Sequence, residues 1–263
     1  MKRIFVAAAM GLFSSTLSSA HASEVTLSSK IKISYLGVNV GKMTNTVRIT
    51  DTAYAVTGSA KTNGAVKVVA RTSANFTSWG SLIDGWHYPA KHQLTYSTRK
   101  RNGSVNMNFA SGKMTGSVSV PAVVYKAGVV PLQSDHMKLA FDPVSTLLFP
   151  VKAAKVGQGS AVCNRTVGVF DGKTRFNLVF SYKRSSNQSA DGFRGKVFHC
   201  AVRYQPVSGY RPFKSDVKFL KANKDLEVSM ARIGKSSVYG LFGFRVRTES
   251  GLATGRASLF RAQ

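Results

Sequence analysis

Acidic side chains are scarce in this sequence. It has 11 Asp and Glu against 37 Lys and Arg in 263 residues, a formal charge of +26. Carboxylates this few, spread along the chain, leave no evident pair for glycoside hydrolysis, which needs two flanking one bond. GxSxG, P-loop, GxGxxG and HExxH motifs are absent, so sequence support for the chemistries they carry is lacking. The histidines His87, His92, His136 and His199 are isolated in sequence and read as structural or exposed groups. There are only two cysteines, Cys163 and Cys200, with no CxxC or HxxxH spacing. No metal, no cofactor and no catalytic residue is expected. Beyond the N-terminus no apolar run is long enough for a transmembrane helix.

The N-terminus itself has the form of a cleavable leader. Lys2 and Arg3 precede an apolar run, Ile4 to Phe13, too short to span a bilayer, and Ala20-His21-Ala22 supplies an A-x-A cleavage site. A buried helix is the plainer alternative. We expect a signal peptide over residues 1–22, export to a bacterial periplasm, and a single domain over residues 23–263. No Cys follows the cleavage site, which argues against a lipid anchor.

Two of the positive charges, Lys2 and Arg3, lie in the leader, so the remaining chain carries +24. Such a field attracts anions. The expected partner is an anionic envelope component: lipopolysaccharide, lipid or peptidoglycan. A general basic bias is the plain alternative. No RNP1 or zinc-finger pattern accompanies the charge, and export makes nucleic acid an unsuitable partner. The protein is expected to act as a monomer.

In an exported chain two cysteines are most simply a disulfide. Bridging Cys163 to Cys200 closes a loop worth about 4 kcal/mol by chain entropy. A metal site at Cys200 and its neighbour His199 is the rival, but adjacent strand residues point to opposite faces.

Period-two alternation dominates the rest. Val25, Leu27, Ile31, Ile33 and Tyr35 share one strand face, with polar residues between. Gly37 and Gly41 bracket a turn or bulge. Asn63-Gly64, before Val66 to Arg71, Asn102-Gly103 and Asp171-Gly172 are hairpin signals. The Trp-rich stretch Phe76 to Pro89 reads as packing over a sheet edge, with an aromatic ligand platform as the alternative. Asp142 fits an N-cap and Pro143 a first helical position, predicting a short helix ended by Pro150, with Leu147, Leu148 and Phe149 inward. Phe176, Leu178, Phe180 and Tyr182 line one strand face, and Phe198, Cys200, Val202 and Tyr204 another. Lys183 to Gly192 reads as a polar loop. Pro212 to Ala222 predicts a helix with Phe213, Val217 and Leu220 on its apolar side. It is basic enough to lie on a membrane, although a connector packed on the sheet is simpler. Phe242, Phe244 and Val246 share a face. Many short strands with regular turn signals indicate an all-β barrel or sandwich-like domain.

Three segments resemble a family of exported bacterial proteins, domain-of-unknown-function family 3108. They are Phe141-Asp142-Pro143-Val144-Ser145-Thr146-Leu147-Leu148; Cys163-Asn164-Arg165-Thr166 leading to Val169-Phe170-Asp171-Gly172-Lys173-Thr174-Arg175-Phe176; and Cys200-Ala201-Val202-Arg203-Tyr204 leading to Pro206-Val207-Ser208-Gly209-Tyr210. Asn164 and Phe176-Asn177 stand where the family more often has Asp and Tyr-Asp. The resemblance implies a large antiparallel sheet curled into an open barrel or β-spiral, with one or two short helices. It gives Asp142, Pro143, Ser145, Phe170, Asp171, Gly172, Arg175, Gly209 and Tyr210 structural roles. It implies no established enzymatic activity. The expected function is non-enzymatic support of the cell envelope through polyanionic or amphiphilic components. The alternatives are a lipid or lipoprotein carrier using the concave sheet face and, more remotely, a hydrolase drawing on Asp142, Asp171 or His199.

Overall fold

The computed structural model describes residues 24–63 and 71–263. The leader, the Gly64 turn and the strand expected from Val66 lie outside those residues. A first meander contains β1 (Val25–Tyr35), β2 (Val38–Ile49), β3 (Ala53–Thr62), β4 (Thr72–Ile83), β5 (Trp86–Thr98), β6 (Asn102–Ala110) and β7 (Lys113–Val120). Two short strands follow, β8 (Ala140–Phe141) and β9 (Leu148–Pro150). A second meander contains β10 (Arg165–Phe170), β11 (Arg175–Ala190), β12 (Phe193–Ser208), β13 (Leu226–Arg232), β14 (Val238–Thr248) and β15 (Gly251–Ala262). Two α-helices lie among the described residues, α1 (Gly159–Cys163) and α2 (Ser215–Ala222).

The strands form one sheet in the order β7-β6-β5-β4-β3-β2-β1-β15-β14-β13-β12-β11-β10-β8. The two meanders meet through the first and last strands, with Leu27 opposite Ala262 and Tyr35 opposite Ala253. The outer edges then approach each other. Leu139 N–H donates to Gly112 O at 2.7 Å, and a single bridge joins Lys113 to Lys138. The result is a curled antiparallel sheet almost closed into a barrel, as the sequence predicts. Among the described residues the one parallel strand pair is the two-residue β8–β10, beside an isolated parallel bridge between Asp191 and Leu259.

The segment between the meanders plugs this barrel. Phe141, Asp142, Ser145, Leu148, Phe149, Val162 and Cys163 are all buried. β9 pairs with β14 at Val238–Gly240. The inward faces of β1, β2 and β3 meet Phe242 and Phe260 in one apolar cluster. A second surrounds the Cys163–Cys200 disulfide and Phe149, Phe180 and Tyr239. A third, with Val105, Met107, Phe109 and Phe170, seals the seam between the sheet's two ends.

Five local expectations need correction. The Pro143 segment forms only a 3-10 turn, Ser145–Leu147, and then becomes β9. Pairing with β14 satisfies its backbone there, which a second helical turn would prevent. Lys183 to Gly192 is no loop. Its residues extend β11, turn at Asp191-Gly192 and return as β12. Its half-buried positions are Ser186, Gln188 and Ala190, so the burial alternates but no large apolar residue marks it in the sequence. Asn102-Gly103 opens β6 instead of forming the turn, which closes between Thr98 and Arg101. Gly103 is favoured there because a Cβ would fall 2.5 Å from Val120 O as well as against the Tyr96 ring lying across it. Phe242 parts from Phe244 and Val246, because a bulge opposite Ser229/Met230 resets the alternation. Finally, Phe213 precedes α2 and stands 83% exposed. The Trp-rich stretch is the β4–β5 hairpin, and Trp86 packs edge-on against Phe141.

Candidate functional site

Three arrangements of side chains carry chemistry. The first is an apolar cavity on the concave face of β11–β14. Alternation sends Leu178 and Phe180 inward from β11, Val202 and Tyr204 from β12, Leu226, Val228 and Met230 from β13, and Leu241 and Val246 from β14. The plug lays Leu147 and Phe149 across them, and α2 adds Leu220. The space left is about 260 Å³ and almost wholly hydrocarbon-lined. Tyr204 supplies a hydroxyl at the wall. Burial, reinforced by Asp171, Tyr210 and Asp216, pushes its phenol up to about 12, so it stays neutral and able to donate. A larger space of about 870 Å³ lies at the barrel end near Glu24, Asp51 and Lys235, and its lining mixes these charged residues with apolar ones such as Val25, Ile49 and Val238.

The second is a buried polar network beneath the plug. Asp142, 0% exposed, caps the 3-10 turn: its Oδ1 accepts Val144 N–H and Ser145 N–H, both at 2.9 Å. Its Oδ2 accepts the Ser145 hydroxyl and the Ser78 hydroxyl, the latter at 2.9 Å. Tyr54 donates to Ser145 Oγ at 3.0 Å. His92 Nδ1 sits 3.2 Å from Asp142 Oδ1, close enough for an ion pair but outside hydrogen-bond geometry. Burial would raise the Asp142 carboxyl, but His92 and Ser145 outweigh it and hold the group below the ordinary carboxylate range. His87 lies nearby, stacked on Trp86 and tilted on Phe141. Neither of its ring nitrogens meets hydrogen-bond geometry with any partner, the neighbouring Ser145 backbone included. Burial and the Arg165 guanidinium push it down to about 3, so it is neutral at any physiological pH. The whole network is closed to solvent and serves to fix the plug.

The third lies on the opposite face of β11–β13. Glu227 Oε1 is 3.0 Å from His199 Nδ1, and His199 Nε2 is 2.8 Å from Ser186 Oγ. Ser229 Oγ also reaches His199 Nδ1 at 3.0 Å, and Gln188 Nε2 donates to Ser186 Oγ at 3.2 Å. Lys183 and Arg184 each bind Glu227 at 3.0 Å. Burial opposes the Glu227 charge, but Lys183 and Arg184 overcome it and keep the carboxyl low. Burial and then Arg184 lower His199, against the pull of Glu227, so the imidazole is neutral near pH 7. A cleft of about 510 Å³ opens over Ser186, with Arg245 and Arg256 on its walls. A hydroxyl, a neutral imidazole and a carboxylate are thus connected in the order that activates a nucleophile.

The residues singled out in sequence do not converge on one site. Asp142 and Ser145 belong to the buried network, with Pro143 between them. Asp171 makes a turn, its Oδ1 accepting Lys173 N–H and Thr174 N–H. Gly172 has φ +94, and Phe170 fills the seam cluster. Gly209 packs on that same turn: its φ is +78, and a Cβ would fall 2.1 Å from Lys173 O. Val130 N–H donates to Tyr210 O there. Arg175 spans from sheet to plug, with Nε donating to His136 O at 2.8 Å. Cys163 and Cys200 form the expected disulfide, both 0% exposed. His199 sits apart from Asp142 and Asp171 in its own network, and His136 Nδ1 accepts Gln133 N–H in a turn. Ser186 and Glu227 carry no signal in the sequence, where the stretch around Ser186 reads as a loop. Nor does the sequence mark Ser78 and His92 as partners of Asp142. No local signal links residues so far apart. Among the described residues no group of His, Cys, Asp and Glu could hold a metal ion, and no helix is long and apolar enough to cross a membrane.

The sequence matches the family described as "Protein of unknown function (DUF3108)" over residues 30–246. No curated protein matches it. Among solved structures it is similar to a beta-barrel-like protein of domain of unknown function DUF1849 from Brucella abortus. That likeness has a TM-score of 0.50 at 8% identity and covers 92% of this chain and 98% of the other. It is a likeness of fold.

Proposed function

This chain belongs to the DUF3108 family, and from that premise we propose that it is a non-catalytic periplasmic protein that supports the cell envelope by binding an anionic amphiphile. The observation that carries this reading is the apolar cavity on the concave face of β11–β14. An acyl chain entering it exchanges water for Leu, Val, Phe and Met side chains, gaining about 0.8 kcal/mol per buried CH₂. At about 260 Å³ it lies at the small end of ligand sites, so it takes part of a chain and leaves the head group outside. The chain's formal +24 beyond the leader then favours an anionic head over a neutral one.

The test is native mass spectrometry on protein purified from periplasm, followed by titration with a dansyl-labelled fatty acid. Bound lipid and saturable fluorescence are expected. Val246→Trp, placed on the cavity wall where the side chain is half-buried, should weaken binding about tenfold or more by filling the space. A clean apo mass and no saturable binding would overturn the reading. Loss of the protein should raise detergent sensitivity. Transfer of the bound lipid to acceptor vesicles would mark a carrier instead of a static binder.

The Ser186–His199–Glu227 connection favours a second reading, a hydrolase. A fluorophosphonate probe separates the two: covalent labelling at Ser186, lost in His199→Gln, supports the hydrolase. An unlabelled protein leaves the triad-like network as a means of binding Glu227, Lys183 and Arg184 together.

A further inference from the structure

The cavity wall that α2 completes is continuous with the least buried part of the molecule. Phe213 is 83% exposed, more than any other large apolar side chain described. It stands just ahead of α2, and none of the helix's own residues is buried. Arg211, Lys214, Lys218, Lys221 and Lys224 follow one another across this segment, with Asp216 the only acid among residues 211–224. The helix is tied down at its far end. Asn223 Nδ2 donates to Arg247 O at 2.7 Å, and Arg203 Nη1 donates to Asn223 O at 3.1 Å. Its leading end, with Phe213, reaches into solvent.

An exposed aromatic ring among lysines is poorly matched to water and well matched to a membrane interface. There the ring enters the acyl boundary and the ammonium groups meet phosphates. We propose that Arg211–Lys224 docks the protein on an anionic bilayer surface, with Phe213 inserted and Lys214, Lys218 and Lys221 on lipid phosphates. Leu220 lies on the same helix and lines the cavity, so docking sets the cavity wall beside the membrane. Docking follows from the surface alone. Only its purpose, passing an amphiphile between bilayer and cavity, rests on the function proposed above.

The experiment is co-sedimentation of the full chain with vesicles of phosphatidylglycerol and phosphatidylcholine, beside vesicles of phosphatidylcholine alone. Binding is expected to the first and to fall steeply with salt. Phe213→Ser should weaken it about tenfold, and the double variant Lys218→Glu/Lys221→Glu on the order of a hundredfold. Phe213, Lys218 and Lys221 are all exposed, so the variants should melt like the parent. Lys100→Glu/Arg101→Glu, equally basic but in the β5–β6 turn, should leave binding within a few-fold. Equal binding to neutral vesicles, or equal losses from the two charge reversals, would overturn the proposal. Val246→Trp separates the two ideas: it should lose the fatty acid and still sediment with anionic vesicles.

Discussion

Asp142→Ala should destabilise the protein by about 3–5 kcal/mol, the effect of removing one partner from a buried charged network. In a domain of this size that lowers the melting temperature by roughly 10 °C or more. The carboxylate is 0% exposed and binds two backbone N–H groups and two hydroxyls. Its loss leaves the Val144 and Ser145 N–H groups without an acceptor, and the Ser78 and Ser145 hydroxyls with only each other and Tyr54, in a space that excludes water. Thermal unfolding followed by circular dichroism measures it, and a change below about 1 kcal/mol would contradict the network's role. The same group sets an acid limit. Its folded pKa is depressed below the ordinary 3.8. The stability it contributes is therefore complete above that value and is lost as pH falls through the folded one. The parent should lose stability steeply at the acid end, and Asp142→Asn should show a lower but flatter curve there.

Removing the disulfide should cost a similar amount. Cys163 and Cys200 are 37 positions apart, and opening a loop of that length forfeits about 4 kcal/mol of chain-entropy stabilisation. The bridge also lies in the middle of the cluster that contains Phe149, Phe180 and Tyr239. Cys163→Ser/Cys200→Ser places two hydroxyls there, so the double alanine variant is the cleaner measurement. Urea midpoints of the oxidised and variant proteins give the difference. Since both sulfurs are buried, dithiothreitol should open the bridge only when denaturant is present, and rapid reduction of the native protein would contradict that burial.

The strands were legible where one face is wet and the other dry. Leu27, Ile31 and Ile33 alternate with Ser28, Lys30 and Lys32, and the structure buries the first set more deeply. The ribbon from Lys183 to Gly192 was illegible because its half-buried face is made of Ser186, Gln188 and Ala190 and carries no large apolar residue, although Asp191-Gly192 is as good a turn signal as Asp171-Gly172. The disulfide followed from compartment and cysteine count. Asp142 was recognised as a cap, but its tie to Ser78 and His92 depends on β4 and β5 lying against the plug, which no short-range pattern encodes. The cavity was half visible. The apolar faces around Leu178 and Val202 were identified, but the plug that leaves a gap over them was expected to be helix. Glu227 and Ser186 escaped because an isolated acid and a serine in a polar stretch carry no signal until three strands align them with His199.

The pairing of β1 with β15 has a consequence for how the molecule is made. β1 gains its second neighbour only when β15 is present, and the two segments exchange backbone hydrogen bonds between Thr26 and Gln263. Contacts of such long sequence separation close slowly. While the chain is incomplete, β1 offers an unpaired edge to any other strand it meets. A first meander formed alone keeps that edge open until β15 docks on it, so closure of the sheet is expected late in folding.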